Sequence, residues 1–216
     1  LSGQSLLHLQ CHFGQDSISL SRLGAHVTGT DISDVALSEA RKLNDRCGTS
    51  VTFIETNTYD IGDVITEQFD LIFMSYGVTC WLPDILQLAH VVYQRLRPRG
   101  KVLIAEFHPA LMMYDFVKTE ISYSYNNTSV YKEEVSETYA QSQDDHVQGV
   151  EYFWQHSLEE LMNSFLNVGL SLSVFREYYY SPYEIFNGNC REHDGHYVFG
   201  DLAYPVPHVY LMQFEN

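Results

Sequence analysis

The 216-residue chain is long enough for one domain that buries roughly 70% of the surface its unfolded form exposes, and its 45% apolar content excludes a disordered chain. Its 28 acidic residues against 12 basic ones give a formal charge of -16 with no Lys/Arg cluster, which excludes nucleic acid or an anionic membrane as an expected partner, since either needs a positive patch. The four cysteines form no CxxC pair and no apolar run reaches the ~18 residues of a membrane span, so we expect reduced thiols in a cytoplasmic protein.

In chain order, LLHL (Leu6 to Leu9) is a short apolar strand running into the turn QCHFG. Asp16 to Leu23 form a helix stopped by Gly24, the usual left-handed C-terminal residue. HVTGTD (His26 to Asp31) is a second strand, and Ser33 caps a helix with Ala36, Ala40, Leu43 and Cys47 on one face. VTFIE (Val51 to Glu55) and FDLIFMS (Phe69 to Ser75) are the third and fourth strands. After Pro83 and Asp84, the residues Ile85, Leu88, Ala89, Val92 and Leu96 repeat at helical spacing; RPRG breaks that helix and KVLIAEF (Lys101 to Phe107) is the fifth strand. Such alternation, without an in-out polar pattern, predicts an α/β fold with a doubly wound parallel sheet covered on both faces. The ligand crevice of such a sheet lies at the carboxyl ends of its strands where the winding reverses, and QCHFG sits there.

From Pro109 to Gln155 the sequence becomes aromatic and polar, as irregular strands or a hairpin-like insertion would. SLEE (Ser157 to Glu160) is a capping box opening a helix with Leu158, Leu161, Met162, Phe165 and Leu166 on its buried face. LSLSVFREYYY (Leu170 to Tyr180) and HVYLMQF (His208 to Phe214) have no helix between them and are expected to pair antiparallel. The chain thus reads as a single domain, 1–216, with insertions at about 109–155 and 181–207 standing over the crevice as lids. CREHDGH (Cys190 to His196) holds one Cys and two His at short spacing, but with no fourth ligand nearby it reads as a solvated loop, and no metal is expected.

Taken together, LLHLQCHFGQD (Leu6 to Asp16), SYGVTCWLPD (Ser75 to Asp84) and Glu106 with His108 and Pro109 carry a resemblance from about Ser5 to Phe214. The sequence resembles the class I S-adenosylmethionine-dependent methyltransferases, and most of all a bacterial branch with these motifs. That resemblance implies a Rossmann-like sheet of seven strands, parallel except for the C-terminal one, with S-adenosylmethionine as cofactor and a small-molecule methyl acceptor. Where the family at large has an acid and two earlier glycines, this chain has His8, Gln10 and His12, and Gly14 alone keeps the pattern. The family also places a helix ahead of the first strand. This chain opens on Leu1 rather than Met, and a preceding segment is expected.

A dinucleotide needs GxGxxG because its pyrophosphate approaches bare backbone at a helix N-terminus. S-adenosylmethionine has no phosphate, so Gly14 can suffice, with Gln10 and Cys11 contributing backbone and His8 either facing the site or satisfied in the core. Asp31, ending the second strand, can accept from both ribose hydroxyls or cap the following helix. By resemblance Ile32 packs on the adenine, Asn57 and Thr58 meet its amino edge, and Ser75 lines the cofactor side. Tyr76, Trp81 and His108, with Tyr123, Tyr125, Trp154, Tyr183 and Phe186 from the insertions, are expected to form an aromatic acceptor pocket. His108 is the candidate general base, against a structural hydrogen bond beside Pro109, and Trp81 alternatively packs in the core. A nicotinamide-dependent oxidoreductase, for which Asp31 would also suit, and a non-catalytic cofactor-binding module are the competing readings. The sequence leaves the acceptor's identity and the oligomeric state open.

Overall fold

A computed structural model of the protein describes residues 1–127, 129–135, 149–202 and 204–216. Its elements alternate: β1 Ser5–Leu9, α1 Gln15–Arg22, β2 His26–Asp31, α2 Asp34–Cys47, β3 Thr52–Glu55, α3 Ile61–Val64, β4 Phe69–Ser75, α4 Ile85–Arg95 and β5 Leu96–Phe107. The first insertion holds the hairpins β6 Tyr114–Asp115 with β7 Glu120–Ile121, and β8 Tyr131–Val135 with β9 Gly149–Phe153. There follow α5 Leu158–Asn167, β10 Ser171–Tyr178, the hairpin β11 Cys190–His193 with β12 His196–Phe199, and β13 Val209–Glu215.

The main sheet runs β10-β13-β5-β4-β1-β2-β3, with β13 antiparallel to both its neighbours and the other pairs parallel. The winding therefore reverses between β1 and β4, and the loops after these strands meet at one edge. Successive residues of β1 serve opposite faces: Leu6 packs with Ile18 of α1 and Leu37 and Ala40 of α2, while Leu7 and Leu9 pack with α4 and α5. Ser33, Asp84 and Ser157 cap α2, α4 and α5 by accepting from Ala36, Gln87 and Glu160 backbone N–H groups.

Four expectations change. The fifth strand begins at Leu96, so RPRG lies within β5, where the pairing register to β4 shifts between Phe69 and Leu71. The sheet is covered on both faces only in part: α1 and α2 lie against β2 and β3, and among the described residues no helix covers that face over β5, β13 and β10. Leu166 is 42% exposed, and the buried face of α5 is formed by Leu161, Ser164 and Phe165. CREHDGH forms a two-stranded hairpin, with Asp194 and Gly195 at its tip in the left-handed region, instead of a loop. The stretch from Pro109 to Gln155, expected as irregular strands or a hairpin-like insertion, does hold the hairpins β6–β7 and β8–β9, and residues 128 and 136–148 lie outside the described ones.

Phe165 is fully buried and stacks on Phe214 of β13, ring centroids 5.0 Å apart. Truncating it removes that stack and leaves a cavity where α5 seals the sheet. Phe165→Ala is expected to cost ~3–5 kcal/mol, measured by urea unfolding; a loss below about 1.5 kcal/mol would mean that the helix does not close this core.

Candidate functional site

Three non-glycine residues are held at positive φ along the edge where β1 and β4 end: Gln10 (φ 51), His12 (φ 48) and Tyr76 (φ 43). Such backbone costs of order 1–3 kcal/mol each and persists only where surrounding contacts impose it. The contacts are visible. Asp31 Oδ2 accepts from His12 N at 2.8 Å and Oδ1 from Ser33 N at 2.9 Å, so one carboxylate pins both the turn and the start of α2. Gln10 Nε2 donates to the Val78 carbonyl at 3.4 Å, bridging the two loops.

Glu106, at the end of β5, is buried and accepts four backbone N–H groups: Gly77 (2.6 Å), Val78 (2.8 Å), Thr79 (3.3 Å) and Phe107 (2.8 Å). Burial raises its pKa and these four donors oppose the rise. The carboxylate thereby fixes the loop that carries Tyr76 and Trp81. Neither its role nor that of Tyr210 was foreseen from the sequence. An acid in the otherwise apolar run VLIAEF was the available signal for Glu106; Tyr210 in HVYLMQF carried none.

Under the insertions, at the ends of β4 and β5, lies a cavity of about 470 Å³ whose walls include Trp81, Phe107, Tyr123, Phe153 and Trp154, with Glu106 and Tyr210 at its base. Trp154 is placed by its N–H to the Cys80 carbonyl (2.9 Å), and the neighbouring Gln155 by its amide to the Pro109 carbonyl (3.0 Å). The two insertions share a small core of Leu111, Phe186 and Phe199.

Of the residues expected in the site, Trp81 is 38% exposed and lines the cavity, whereas Tyr76 packs between Phe107 and Tyr183 and is not among its lining residues. Phe186 does not line it either, being fully buried in the insertions' core. His108 is corrected more sharply. Its Nδ1 accepts from Ala110 N (3.1 Å) and its Nε2 donates to Glu177 (2.9 Å), so neither nitrogen is left to act as a base, and burial lowers its pKa against the pull of Glu177.

On the crevice side, Gly14 is required by the core: a Cβ there would lie 2.6 Å from the Phe53 ring. Cys11 also packs inward, its thiol pushed up to about 12 by burial, leaving its backbone to the loop. His8 is a buried connector, accepting from Ser17 Oγ at 2.8 Å, with Ser75 Oγ 3.5 Å from Nε2 and donating to Asp16 at 3.1 Å. Ile32 is 69% exposed beside Asp31, while Thr58 is buried and the oxygen of exposed Asn57 accepts from Tyr59 N (2.9 Å), which leaves it one further lone pair.

A family model for a methyltransferase domain matches residues 7–102, which run from within β1 into β5. Over those residues the chain is similar to methyltransferase domains. A methyltransferase of Penicillium fellutanum, phqN, is 30% identical over 130 residues, 55% of this chain and 39% of that protein. A ubiquinone biosynthesis O-methyltransferase of Pseudomonas savastanoi pv. phaseolicola is 26% identical over 131 residues, 58% of this chain and 54% of that protein. The matches thus span about half or less of these relatives' own length. A crystal structure of an S-adenosylmethionine dependent methyltransferase from Mesorhizobium loti superposes with a TM-score of 0.64 at 16% identity, covering 100% of this chain and 92% of the other. The fold is accordingly the Rossmann-like one, and the cofactor of that solved neighbour is S-adenosylmethionine. The residues present fit that molecule: Asp31 keeps further lone pairs for hydroxyls, exposed Ile32 offers an apolar surface to a heterocycle, and Gly77 (φ 84) leaves backbone open.

His8 supplies a pH test of the frame beneath this site. Its pKa falls from 6.5 to about 4, chiefly through burial. The unfolded chain therefore takes up this proton well before the folded one, and the stability present above pH 6.5 is lost as pH falls toward 4. That amounts to roughly 3 kcal/mol. Urea unfolding at pH 7 and pH 4 is expected to show a smaller acid-induced drop in His8→Gln than in wild type; equal drops would overturn the buried neutral imidazole.

Proposed function

We propose that this protein transfers the S-adenosylmethionine methyl group to a small-molecule acceptor in the aromatic cavity. The supporting observation is that the Asp31–Ile32 edge, the strained turn at Gln10 and His12, and the cavity mouth at Gly77 adjoin across the β1/β4 reversal. The cofactor supplies an electrophilic methyl on sulfur: the acceptor's lone pair forms the new bond to carbon, the carbon–sulfur pair returns to sulfur, and an acceptor proton goes to water. Asp31, Ile32 and the backbone of Gln10 to Gly14 hold the cofactor, with His8 and Ser75 bracing that turn from behind. Trp81 and the insertion aromatics enclose the acceptor. With His108 locked in its hydrogen bonds, alignment of the two reactants carries the catalysis, a contribution of up to ~7–11 kcal/mol to the barrier. The dinucleotide reading is disfavoured because Gly14's missing Cβ faces Phe53 and side chains stand at Gln10 and His12, so no bare amide cradle awaits a pyrophosphate.

The charge of -16 speaks against nucleic acid as acceptor, and the four free cysteines suit a reducing, cytoplasmic setting. Among the described residues no helix is long and apolar enough to cross a membrane.

S-adenosylhomocysteine at a hundredfold excess over its Kd is expected to add ~2.7 kcal/mol of stability, roughly 5–10 °C in melting temperature for a chain of this size. A shift with NADH and none with S-adenosylhomocysteine would transfer the assignment to the oxidoreductases.

Because Asp31 also holds two backbone N–H groups, its truncation to Ala would loosen the turn, so Asp31→Asn is the cleaner variant. Calorimetry is expected to show at least tenfold weaker S-adenosylhomocysteine binding, about 1.4 kcal/mol or more. Unchanged affinity would remove Asp31 from the cofactor site.

A further inference from the structure

The cavity is one-sided in charge. Resting on the reading that it receives the methyl acceptor, we propose that the acceptor is an amine on an aromatic or similarly apolar frame, held as its ammonium ion. Among the described residues the cavity's charged lining consists of Glu106, Asp115 and Glu133, with His156 as a further titratable group and no Lys or Arg. Between residues 102 and 175 the sequence has eleven acids against Lys118 and Lys132 alone, and residues 136–148 contain no basic side chain beyond one histidine. Lys118 is drawn onto Asp115 at 2.9 Å, and Lys132 lies over the Tyr152 ring. A carboxylate or phosphate on the acceptor would meet no partner here.

The walls add to the bias. Trp81, Trp154, Tyr123 and Phe153 present π systems that favour a cation over its neutral isostere. Tyr210 is the independent sign of a ligand. It is fully buried, lines the cavity, and its hydroxyl lies near Thr79 without a hydrogen bond of acceptable geometry. An unmade bond on a buried hydroxyl is costly unless something else completes it, and an N–H of the ammonium would find an acceptor there.

The chemistry agrees. An aliphatic alcohol, whose hydroxyl is far less acidic than an ammonium, must lose its proton to a placed base as it attacks. Glu106 is saturated by four N–H groups, and the His156 ring is fixed by Nε2 donating to the Leu82 carbonyl (2.8 Å), with Nδ1 set against Glu160 (3.0 Å) without a hydrogen bond of acceptable geometry. An amine needs no such base: the ammonium gives one proton to water, and the freed lone pair forms the bond to the methyl carbon while the carbon–sulfur pair goes to sulfur.

Both tryptophans of the chain, Trp81 and Trp154, line this cavity, so intrinsic fluorescence reads its occupancy. Titration with 2-phenylethylamine, 2-phenylethanol and 3-phenylpropanoate at pH 7, with and without S-adenosylhomocysteine, is expected to give saturable binding of the amine. Its affinity should exceed that of the alcohol and the carboxylate at least tenfold. That preference should shrink at least threefold in Glu133→Gln and in Tyr210→Phe, with the melting temperature of Tyr210→Phe unchanged or raised. Equal affinities, preference for the alcohol or carboxylate, or no binding of any probe by a protein that binds S-adenosylhomocysteine overturns the amine. Failure of S-adenosylhomocysteine itself to bind would instead strike the methyltransferase reading.

Discussion

Glu106 closes β5 with a charge-bearing group where the preceding residues are apolar, and four backbone N–H groups converge on its two oxygens. Three of them belong to the segment after β4, whose single 3-10 turn at Thr79–Trp81 leaves these leading N–H groups without a partner of its own. Leaving a buried donor without a partner costs ~1–3 kcal/mol, so this one carboxylate decides the loop's shape. The consequences spread outward from there. Tyr76 is forced into the left-handed region, Trp81 is set at the cavity wall, and the Cys80 carbonyl is presented to the Trp154 N–H. The two tryptophans come from segments more than seventy residues apart in sequence, yet their spacing depends on the same anchor.

The sheet was largely legible because its strands announce themselves. HVTGTD and FDLIFMS are bounded by turn residues and match β2 and β4 to the residue, and Ser33, Asp84 and Ser157 cap the helices as their side chains suggest. Where the reading failed, tertiary pairing overrode a local signal. Pro98 and Gly100 look like a break, but β5 pairs from Leu96 through a shift in register, which a one-dimensional pattern does not encode. Leu166 fits the apolar period of α5, yet Ser164 is buried there while Leu166 is exposed.

The site was legible as a location more than as a set of contacts. Motif position put Gly14 in the turn after β1 and Asp31 and Ser75 where β2 and β4 end, and the structure gives Gly14 and Asp31 reasons of their own. Gly14 answers to Phe53, and Asp31 holds backbone as well as facing the crevice. His108 illustrates the general difficulty: a histidine following a strand end invites a catalytic role, and only the positions of Ala110 and Glu177 reveal that both nitrogens are already committed. Gln10 and His12 stand where glycine would adopt their backbone without strain, which means that the turn is imposed by Asp31 and the neighbouring loop instead of by permissive residues.

Leu111, Phe116, Phe186 and Phe199 give the insertions a hydrophobic centre of their own, separate from the two clusters that flank the sheet. The insertions around the cavity are therefore a semi-autonomous module resting on the sheet. Selection can remodel its inner wall, exchanging one aromatic for another or reversing a charge, while the sheet beneath goes on folding undisturbed. Diversification of substrate choice in such a protein is decoupled from the stability of the sheet.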